Sequence, residues 1–428
     1  MVRRRLAALV EGMEARLLAV AAAVALSLLG DATMYAVLPS RAESVGVSVG
    51  LLGVILSANR FVRLLTNTWA GRICDKHGRR IPFFAALIVG AAITAGYGVA
   101  RGFFAFLMLR ILWGFCWSFL RLEWYQTAYE TSSSSNIGRV MGTSQSIVRI
   151  GTLAGSVLGG VLTDAIGFSR ALFAFAAIGL TGAAVAARRP PPRGARCEPT
   201  SAIADPDAIA DGDIAEYATD DPPAHARLLR ARRVAVCWVG FCSLFAISSI
   251  VVATLGRLLL VRLGATIPVL GLTLGVASLT GILIGVRPGL SLVLSPVFGH
   301  ASDVLGRRLV IVAALLVAIA CHVLLAGTTH LALIVGAVLL LAVAAAAVAP
   351  ALDATVRDLT TDRDRARFVS TYVTLLDLGS ACGPLVGLAI AAAWGLASAY
   401  LVAAASVVSS AVVYLIAFRA RVEQPGAT

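Results

Sequence analysis

The chain has 428 residues, of which 59% are hydrophobic and only 14% are charged, and its mean hydropathy is +0.87. This composition excludes an ordinary soluble domain, in which charged residues make up about 25%. The formal net charge of +13 does not indicate nucleic-acid binding, because the arginines are spread along the chain instead of forming one patch. The composition predicts an all-α membrane protein.

Apolar runs follow one another along the chain, each about 20 residues long, which is the length that crosses a bilayer as a helix. The first run lies behind Arg3, Arg4 and Arg5 and continues to Pro39 without a small-x-small cleavage site, so we interpret it as a retained helix. The runs predict twelve transmembrane helices, at 15–39, 46–69, 80–100, 103–128, 138–161, 169–187, 234–257, 268–297, 308–327, 331–357, 366–390 and 394–418.

Residues 188–233 form the one long polar segment between apolar runs. This segment is rich in proline and acidic in its middle, a composition that predicts a flexible linker. It divides the chain into an N-terminal half (1–187), the linker (188–233) and a C-terminal half (234–428).

The basic residues are concentrated on the side of the membrane that holds the N-terminus. On the opposite side the predicted loops hold only Arg41, Arg101, Arg170 and Arg262. By the positive-inside tendency, both termini and the linker are predicted to be cytoplasmic, in a multi-pass protein of the inner membrane.

Signatures of catalysis or of ATP use do not occur. The only lysine is Lys76, so the chain has no G-x-x-x-x-G-K-[ST] loop for ATP phosphates. The seven cysteines show neither metal-ligand spacing nor a disulfide framework. We therefore expect a protein that is not an enzyme and that needs no cofactor and no metal.

A string of charged residues between the second and third runs recurs in the second half. The first copy reads GRICDKHGRR and begins at Gly71, and the second reads GHASDVLGRR and begins at Gly299. The matched residues are Gly71, Asp75, Gly78, Arg79 and Arg80 in the first copy and Gly299, Asp303, Gly306, Arg307 and Arg308 in the second. The shared offset predicts duplication of a six-helix unit, as in many secondary transporters.

The fifth and eleventh runs keep the same offset. Their matched small residues, which we predict to be helix-packing positions, together with one proline, are Gly151, Gly155, Gly159, Gly379, Gly383, Pro384 and Gly387. Small residues at this spacing let helix backbones approach closely.

These motifs resemble those of the major facilitator superfamily, and the resemblance covers essentially the whole chain. The family's loop signature G-x-x-x-D-x-x-G-R-R is present twice, and its fourth-span pattern R-x-x-x-G is present as Arg110 and Gly114. The fifth-span pattern associated with antiporters is present with Ser156 in place of proline. The resemblance implies twelve helices in two pseudo-symmetric halves and a member of the branch similar to drug:proton antiporters.

The resemblance also implies roles for the repeated loop. Gly71 and Gly299 would allow close helix approach, and Gly78 and Gly306 would allow a tight turn. The paired arginines would hold the third and ninth spans on the cytoplasmic side. Asp75 would approach the N-terminus of the eleventh span and close the cytoplasmic side in part of the transport cycle.

Ionisable residues inside the spans are the candidates for proton and substrate sites, because burying them in a membrane is costly. Asp31 is the only acid of the first span, and with Arg110 it is our candidate for proton coupling. Three others, Glu123, Arg257 and Asp353, lie close enough to span ends to reach water. His322 is interpreted as a hydrogen-bonded packing residue.

Substrate contacts are predicted on the fourth, fifth and eighth spans. Arg121 follows Arg110 by about three helical turns and therefore lies on the same helix face. The predicted cavity residues are Trp117, Arg121, Tyr125, Arg149 and Arg287, and the predicted pair between halves is Arg60 with Asp377. Core packing is an equal alternative for the two aromatic residues.

Two transport functions fit these residues. One is proton-coupled export of a small organic compound, and the other is uptake of an organic anion, which the arginines inside the spans favour. A membrane sensor that does not transport is a third alternative. We expect a monomer in the lipid bilayer whose partners are protons and a small-molecule substrate, anionic in the second alternative, and no nucleic acid.

Overall fold

The computed structural model describes residues 14–132, 137–188, 223–269, 272–361 and 364–419. These residues form two compact units. The first unit contains the described residues of Met1–Pro199, Val252–Leu292 and Pro384–Ala393, and the second contains those of Thr200–Val251, Val293–Gly383 and Trp394–Thr428. The division into 1–187, 188–233 and 234–428 stays a prediction.

Helices make up nearly all of the described residues. The first six are α1 (Ala15–Arg41), α2 (Val49–His77), α3 (Arg80–Val99), α4 (Gly102–Glu130), α5 (Ile137–Ile166) and α6 (Phe168–Ala187). Helix α7 consists of Pro223–Cys242, the π-helical segment Ser243–Ile250 and Val251–Leu263. The next are α8 (Val276–Leu305), α9 (Arg307–Gly327), α10 (Leu331–Asp358) and the continuous stretch Arg365–Ala417. Gly395, with a φ of +85°, divides that stretch into α11 and α12.

Eleven helical stretches of the described residues are long and apolar enough to cross a membrane. The last of them, Phe368–Ala417, has 50 residues. At 1.5 Å per residue it is about 75 Å long, more than twice the ~30 Å hydrocarbon core of a bilayer. It therefore holds two crossings, and the predicted all-α fold with twelve transmembrane helices is confirmed.

A β-hairpin stands where the eighth predicted helix should begin. Strands β1 (Thr266–Val269) and β2 (Leu272–Gly275) pair antiparallel, and α8 begins only at Val276. The prediction of a helix from residue 268 is therefore wrong at its start. Pro268 has no amide hydrogen to donate, and the β-branched residues around it favour a strand.

The predicted linker ends in a helix instead of a flexible segment. Residues 189–222 of the linker lie outside the described part of the chain, but α7 already begins at Pro223. Proline is well suited to the first helical position, and the alanines, leucines and arginines that follow are good helix formers. The helix thus starts well before the predicted span at 234.

The π-helical segment of α7 is contacted by a histidine of α9. His322 is fully buried, with Nδ1 2.7 Å from the carbonyl oxygen of Ala318 and Nε2 3.2 Å from that of Ala246. Ala246 belongs to the π-helical segment, whose carbonyls lack the regular α-helical pattern. This geometry agrees with the predicted packing role of His322.

Helix α5 packs on α1 through glycines spaced four residues apart. A Cβ at Gly151 would lie 2.3 Å from the carbonyl oxygen of Ala25, and one at Gly155 would lie 2.7 Å from that of Leu29. Gly159 continues the contact against the side chain of Thr33. Because both sets of residue numbers increase together, α1 and α5 run parallel.

Helix α11 packs on α7 in the same way. A Cβ at Gly379 would lie 2.4 Å from the carbonyl oxygen of Phe241, and one at Gly383 would lie 2.8 Å from that of Phe245. Gly379 follows Gly151 by the same number of residues that separates the two copies of the repeated loop. Phe241 follows its counterpart Ala25 by fewer residues. The repeat is therefore not in one register throughout, and its offset is shorter at the first helix of each half.

Candidate functional site

A buried ion pair joins α1 and α4 in the first unit. Nη1 of Arg110 donates to Oδ1 of Asp31 at 2.5 Å. The Arg110 side chain is completely buried, whereas that of Asp31 is 16% exposed. The pair therefore combines a cation shut off from water with a carboxylate that water can reach.

Aromatic and polar groups surround this pair. The guanidinium of Arg110 lies 4.8 Å from the centre of the Tyr35 ring, and that of Arg60 lies 5.1 Å from the same ring. The Tyr35 hydroxyl is 3.1 Å from both the Leu56 carbonyl oxygen and Oδ1 of Asn59. Tyr35 thus contacts two cations and is tied to α2, an arrangement favourable for cation–π attraction.

The α4 backbone lies close to α2 beside this cluster. A Cβ at Gly114 would be 2.7 Å from the carbonyl oxygen of Asn59, so the glycine of the R-x-x-x-G pattern permits the contact. One turn further on, Oγ of Ser118 donates to Oδ1 of Asn67 at 3.0 Å. The positions 110, 114 and 118 therefore form the α4 face that packs on α2.

The predicted cavity residues of α4 lie along the same side of the helix as Arg110. The Arg121 guanidinium lies 6.0 Å from the centre of the Tyr125 ring. Trp117 is half-buried, and its indole nitrogen has no hydrogen-bond partner among the described residues. These three side chains form a half-buried stripe with an unused donor, and a substrate role for them stays a prediction.

Arg79 of the repeated loop is fully buried against the end of α4. Its guanidinium pairs with Glu130, and its Nε lies 3.7 Å from Oε2 of Glu123. Glu130 also accepts from Arg16 at 2.7 Å, and Oε1 of Glu123 accepts from Thr127 at 2.8 Å. The expectation that Glu123 reaches water is wrong, because this residue is 1% exposed and its partners lie inside the protein.

The same ion pair recurs in the second unit. Arg307 pairs with Asp358 and also donates to the Ala354 carbonyl oxygen at 2.7 Å. Arg307 corresponds to Arg79 and Asp358 to Glu130, because both residues lie at the separation of the two loop copies. The sequence analysis matched the arginines but missed their acids, although the recurrence of an acid at the same offset was the signal that could have found them.

The glycines of the repeated loop have different environments. Gly78 and Gly306 have φ values of +74° and +90°, which a tight turn after a helix requires. By contrast, a Cβ at Gly71 would meet no atom within 4 Å, and one at Gly299 would meet only Pro350 at 3.9 Å. The expected close approach at Gly71 and Gly299 is therefore wrong for this structure, because Gly71 faces open space and Gly299 has only an ordinary van der Waals contact.

The remaining charged loop residues divide as follows. Arg80 is half-buried, Asp303 is exposed, and Arg308 donates to the Phe418 carbonyl oxygen at 3.2 Å. The side chain of Asp75 lies outside the described part of the chain. Its predicted contact with the eleventh span therefore stays a prediction.

The predicted arginines of α5 and α8 differ in burial. Arg149 is exposed, whereas Arg287 is 7% exposed and so nearly enclosed. Arg60 lies in the first unit and Asp377 in the second, so their pairing stays a prediction.

Two predicted packing residues of α11 lie near its middle. Pro384 contributes its carbonyl oxygen to a contact with Gly53, where a Cβ would lie 2.6 Å away. Gly387, one turn further on, is buried. Small residues on both helices therefore allow α11 to approach α2 within the first unit.

Helices α5 and α8 approach closely in the first unit, and the sequence analysis missed this contact. A Cβ at Gly160 would lie 2.2 Å from the Ala277 carbonyl oxygen, and one at Gly281 would lie 2.2 Å from that of Ser156. Since one residue number rises as the other falls, the two helices run antiparallel. Backbone thus lies directly on backbone along this contact.

A carboxylate holds the beginning of α8 at the end of this contact. Oδ2 of Asp164 accepts from the amide nitrogen and the hydroxyl of Ser278, each at 2.7 Å. A Cβ at Gly275 would lie 2.1 Å from the same oxygen, so glycine leaves the space that the carboxylate occupies. Asp164 thereby satisfies one of the free amides at the helix N-terminus and complements its dipole.

No group of three or more metal-binding side chains occurs among the described residues. Comparison with known proteins gives the family. The family model described as Major Facilitator Superfamily matches residues 20–291 and 263–428. The chain belongs to the Major Facilitator Superfamily. It is accordingly a multi-pass membrane transporter and not an enzyme.

Curated relatives are similar over most of their length. The chain is 23% identical over 368 residues to the multidrug resistance protein MdtG of Dickeya zeae, covering 84% of this chain and 82% of the relative. It is 24% identical over 391 residues to MdtG of Enterobacter lignolyticus, covering 88% of this chain and 85% of that relative.

Solved structures share the fold. The bacterial homologue of the human lysosomal transporter Spinster, in an inward-facing and occupied conformation, gives a TM-score of 0.69 at 16% identity, covering 94% of this chain and 96% of that one. The nucleoside transporter NupG gives 0.71 at 13% identity, covering 95% and 100%. The human organic anion transporter MFSD10 gives 0.59 at 20% identity, covering 94% and 99%.

Proposed function

We propose that this chain exports a small organic solute in exchange for protons, by alternating access. The observation that carries the proposal is the Asp31–Arg110 pair. Arg110 is buried, and among the described residues its only carboxylate partner is Asp31, which is partly exposed. The similarity to two proteins named for multidrug resistance supports export as the direction. We place the protein in the inner membrane as a monomer, with both termini in the cytoplasm.

Protonation of Asp31 would couple to movement for an electrostatic reason. A protonated Asp31 no longer balances the charge of Arg110, and an uncompensated buried charge costs about 3–5 kcal/mol. This cost favours any conformation that hydrates Arg110 or supplies it with another anion. The Tyr35 ring contacts both Arg110 and Arg60, and Arg60 belongs to α2. A change in the charge of Asp31 would therefore also affect the packing of α2.

The test separates proton-driven transport from exchange. Purified protein is reconstituted into liposomes and transport of a panel of anionic, neutral and cationic compounds is measured by counterflow, with and without a pH gradient. We expect Asp31→Asn to abolish the effect of the pH gradient while substrate exchange continues in part. A matched control is Glu14→Gln, which removes an exposed acid that precedes α1.

Equal loss of exchange and of pH-driven transport in Asp31→Asn would contradict the coupling role and identify a structural ion pair. Absence of counterflow for every compound with the unchanged protein would contradict export of the compound classes in the panel. If a pH gradient drives transport equally in the unchanged protein and in Asp31→Asn, the proton site lies elsewhere.

Uptake of an organic anion is the second candidate function. Its specific support is Arg287, which is buried inside a span, together with Arg121 on the half-buried stripe of α4. Arginine binds carboxylate and phosphate with a fork of parallel donors. One fold neighbour is itself named as an organic anion transporter.

The two functions differ in how substrate charge affects the variants. If the substrate is an anion, Arg287→Gln and Arg149→Gln should raise the half-saturation constant for anionic compounds and leave neutral ones unaffected. Normal transport of anions by both variants would make these arginines structural. The direction of transport is measured in right-side-out vesicles, which accumulate the compound if the protein takes it up and release it if the protein exports it.

A further inference from the structure

The few arginines of the predicted outer loops are not scattered over that surface. Three of the four, Arg41, Arg101 and Arg170, line one cavity of about 270 Å³ in the first unit. They come from three different places in the chain, at the end of α1, before α4 and at the beginning of α6. A surface that carries so few cations therefore concentrates most of them in one place.

The cavity is strongly positive because its arginines are poorly neutralised. Among the described residues, neither Arg101 nor Arg170 forms an ion pair, and the nearby acid Glu43 pairs with Arg257 at 2.8 Å. Arg41 approaches Asp164 only at 3.9 Å. The carboxylate of Asp164 already accepts shorter hydrogen bonds from the beginning of α8.

Backbone amides add to this positive field. Helix α6 begins at Phe168 in the wall of the cavity, and its first helical hydrogen bond runs from the Ala171 amide to the Gly167 carbonyl oxygen. The amides of the three preceding residues therefore have no partner within the helix. A helix N-terminus and guanidinium groups together favour an oxyanion such as phosphate.

The surroundings of the cavity are apolar and face outward. Val99 and Phe104, on either side of Arg101 in the sequence, are 66% and 76% exposed, and Ile166 in the cavity wall is 42% exposed. Exposed apolar side chains of this kind suit contact with lipid chains. The cavity volume of about 270 Å³ suits a phosphodiester with its glycerol and not merely a small ion.

We propose that this cavity binds the phosphodiester head group of an anionic phospholipid, with Arg101 and Arg170 as its main ligands and Arg41 as the third. The site lies apart from the Asp31–Arg110 pair, and it does not depend on the proposed transport function. The proposed orientation only decides that the lipid belongs to the outer leaflet. The phosphate chemistry is shared by free inorganic phosphate, which the test distinguishes.

The test measures binding of a short-chain phosphatidylglycerol to the purified full-length chain in detergent by native mass spectrometry and by thermal stabilisation. We expect Arg101→Gln/Arg170→Gln to weaken this binding by at least about tenfold, because two charged hydrogen-bonding groups are lost. Phosphatidylcholine, whose choline cation offsets the charge of its phosphodiester, should bind the unchanged protein more weakly than phosphatidylglycerol does and should lose less affinity in the cavity variant. The matched control is Arg188→Gln/Arg262→Gln, which removes the same charge outside the cavity.

Unchanged binding in the cavity variant, or equal loss in the matched control, would overturn the proposal. Inorganic phosphate is then added as a competitor. Phosphatidylglycerol that millimolar phosphate does not displace identifies the lipid head group as the ligand. Displacement by phosphate, with phosphate itself bound by the unchanged protein but not by the cavity variant, keeps the oxyanion site but overturns the lipid as its occupant.

Discussion

Arg79 and Arg80 are adjacent arginines whose environments differ completely. Arg79 is 1% exposed and pairs with two acids, whereas Arg80 is half-buried and forms no ion pair among the described residues. Removing one partner of a buried ion pair leaves a charge without compensation in a low dielectric. The two residues thus provide an internal comparison in which the charge is the same and the sequence positions are adjacent.

We predict that Arg79→Gln lowers the free energy of unfolding by about 3–5 kcal/mol. Arg80→Gln should change it by no more than about 0.5 kcal/mol, as for a surface substitution. The measurement is thermal or denaturant unfolding of the purified protein in detergent. Similar losses in both variants would mean that the burial and the ion pairs of Arg79 do not account for its contribution to stability.

Asp364, just before α11, is a charged residue outside the membrane-spanning segments. Partial burial alone would raise the pKa of Asp364, but hydrogen bonds from Arg233 and Thr361 outweigh it and hold that pKa below its ordinary value. Arg233 also donates to the Leu359 carbonyl oxygen at 2.8 Å. Because the folded state depresses this pKa, the ionised carboxylate stabilises the fold at neutral pH.

We predict that Asp364→Asn lowers the melting temperature at pH 7, and that the difference from the unchanged protein begins to shrink as the pH falls below about 4 and disappears below the depressed pKa of Asp364. The sign follows from the depressed pKa, since stability is lost only when the carboxylate is protonated. Melting curves between neutral and acidic pH measure it. A difference that persists at low pH would assign the effect to packing, and Arg233→Gln serves as the second arm of a double-mutant cycle.

At the scale of helices, glycines mark contacts of very different closeness. A Cβ at Gly281 would lie inside the contact distance of the Ser156 backbone, whereas one at Gly71 would meet nothing within 4 Å. Both glycines belong to helices, and alanine stabilises a helix by about 0.8–1.0 kcal/mol relative to glycine. Only the packing differs, so these positions form a matched pair.

We predict that Gly281→Ala destabilises the protein by about 1–3 kcal/mol through overpacking, and that it slows counterflow. Gly71→Ala should leave both properties unchanged or stabilise the fold slightly. Unfolding and initial transport rate of the two variants are measured side by side. If Gly281→Ala behaves like Gly71→Ala, the α5–α8 contact is looser than the structure shows.

Local sequence signals predicted most helices but not the segments that depend on their neighbours. The apolar runs and the glycines at 78 and 306 placed the spans correctly because length and turn conformation are local properties. The hairpin at Thr266–Gly275 was absorbed into an apolar run, since periodicity does not separate short strands from helices. The π-helical segment Ser243–Ile250 left no local signal at all.

The candidate site was predictable in part for a similar reason. Asp31 and Arg110 stood out because charges inside apolar spans are rare, and the structure brings them together. Tyr35 could not be found in this way, since its role depends on which side of α1 faces the two arginines. Glu123 was misplaced because its distance along the helix from the span end does not reveal that Arg79 lies beside it.

At the scale of the whole molecule, the sequence repeat survives as repeated contacts. The pair Arg79–Glu130 recurs as Arg307–Asp358, and α5 on α1 recurs as α11 on α7. The buried pair Asp31–Arg110 does not recur, because Val338 stands at the position that corresponds to Arg110. The duplicated scaffold is therefore shared by both halves, whereas the charged cluster belongs to the first half alone.

We predict that reporters fused at Arg3, within the 188–233 linker and at Thr428 will all report a cytoplasmic location. The physical reason is the excess of arginine in the loops on that side. Alkaline phosphatase and fluorescent-protein fusions measure it in intact cells, with a fusion in the Arg101 loop as the control for the opposite side. A periplasmic result at either terminus would overturn the twelve-span orientation.

The direct backbone contact between α5 and α8 has a kinetic consequence. Side chains can yield gradually by changing rotamers, but two backbones in contact at Gly160 and Gly281 have no such freedom. Packed surfaces of this kind are bistable and do not deform continuously. The helices should therefore separate in a single all-or-none event, and a distance label across the contact should report two populations whose proportions change with conditions while the two distances stay constant.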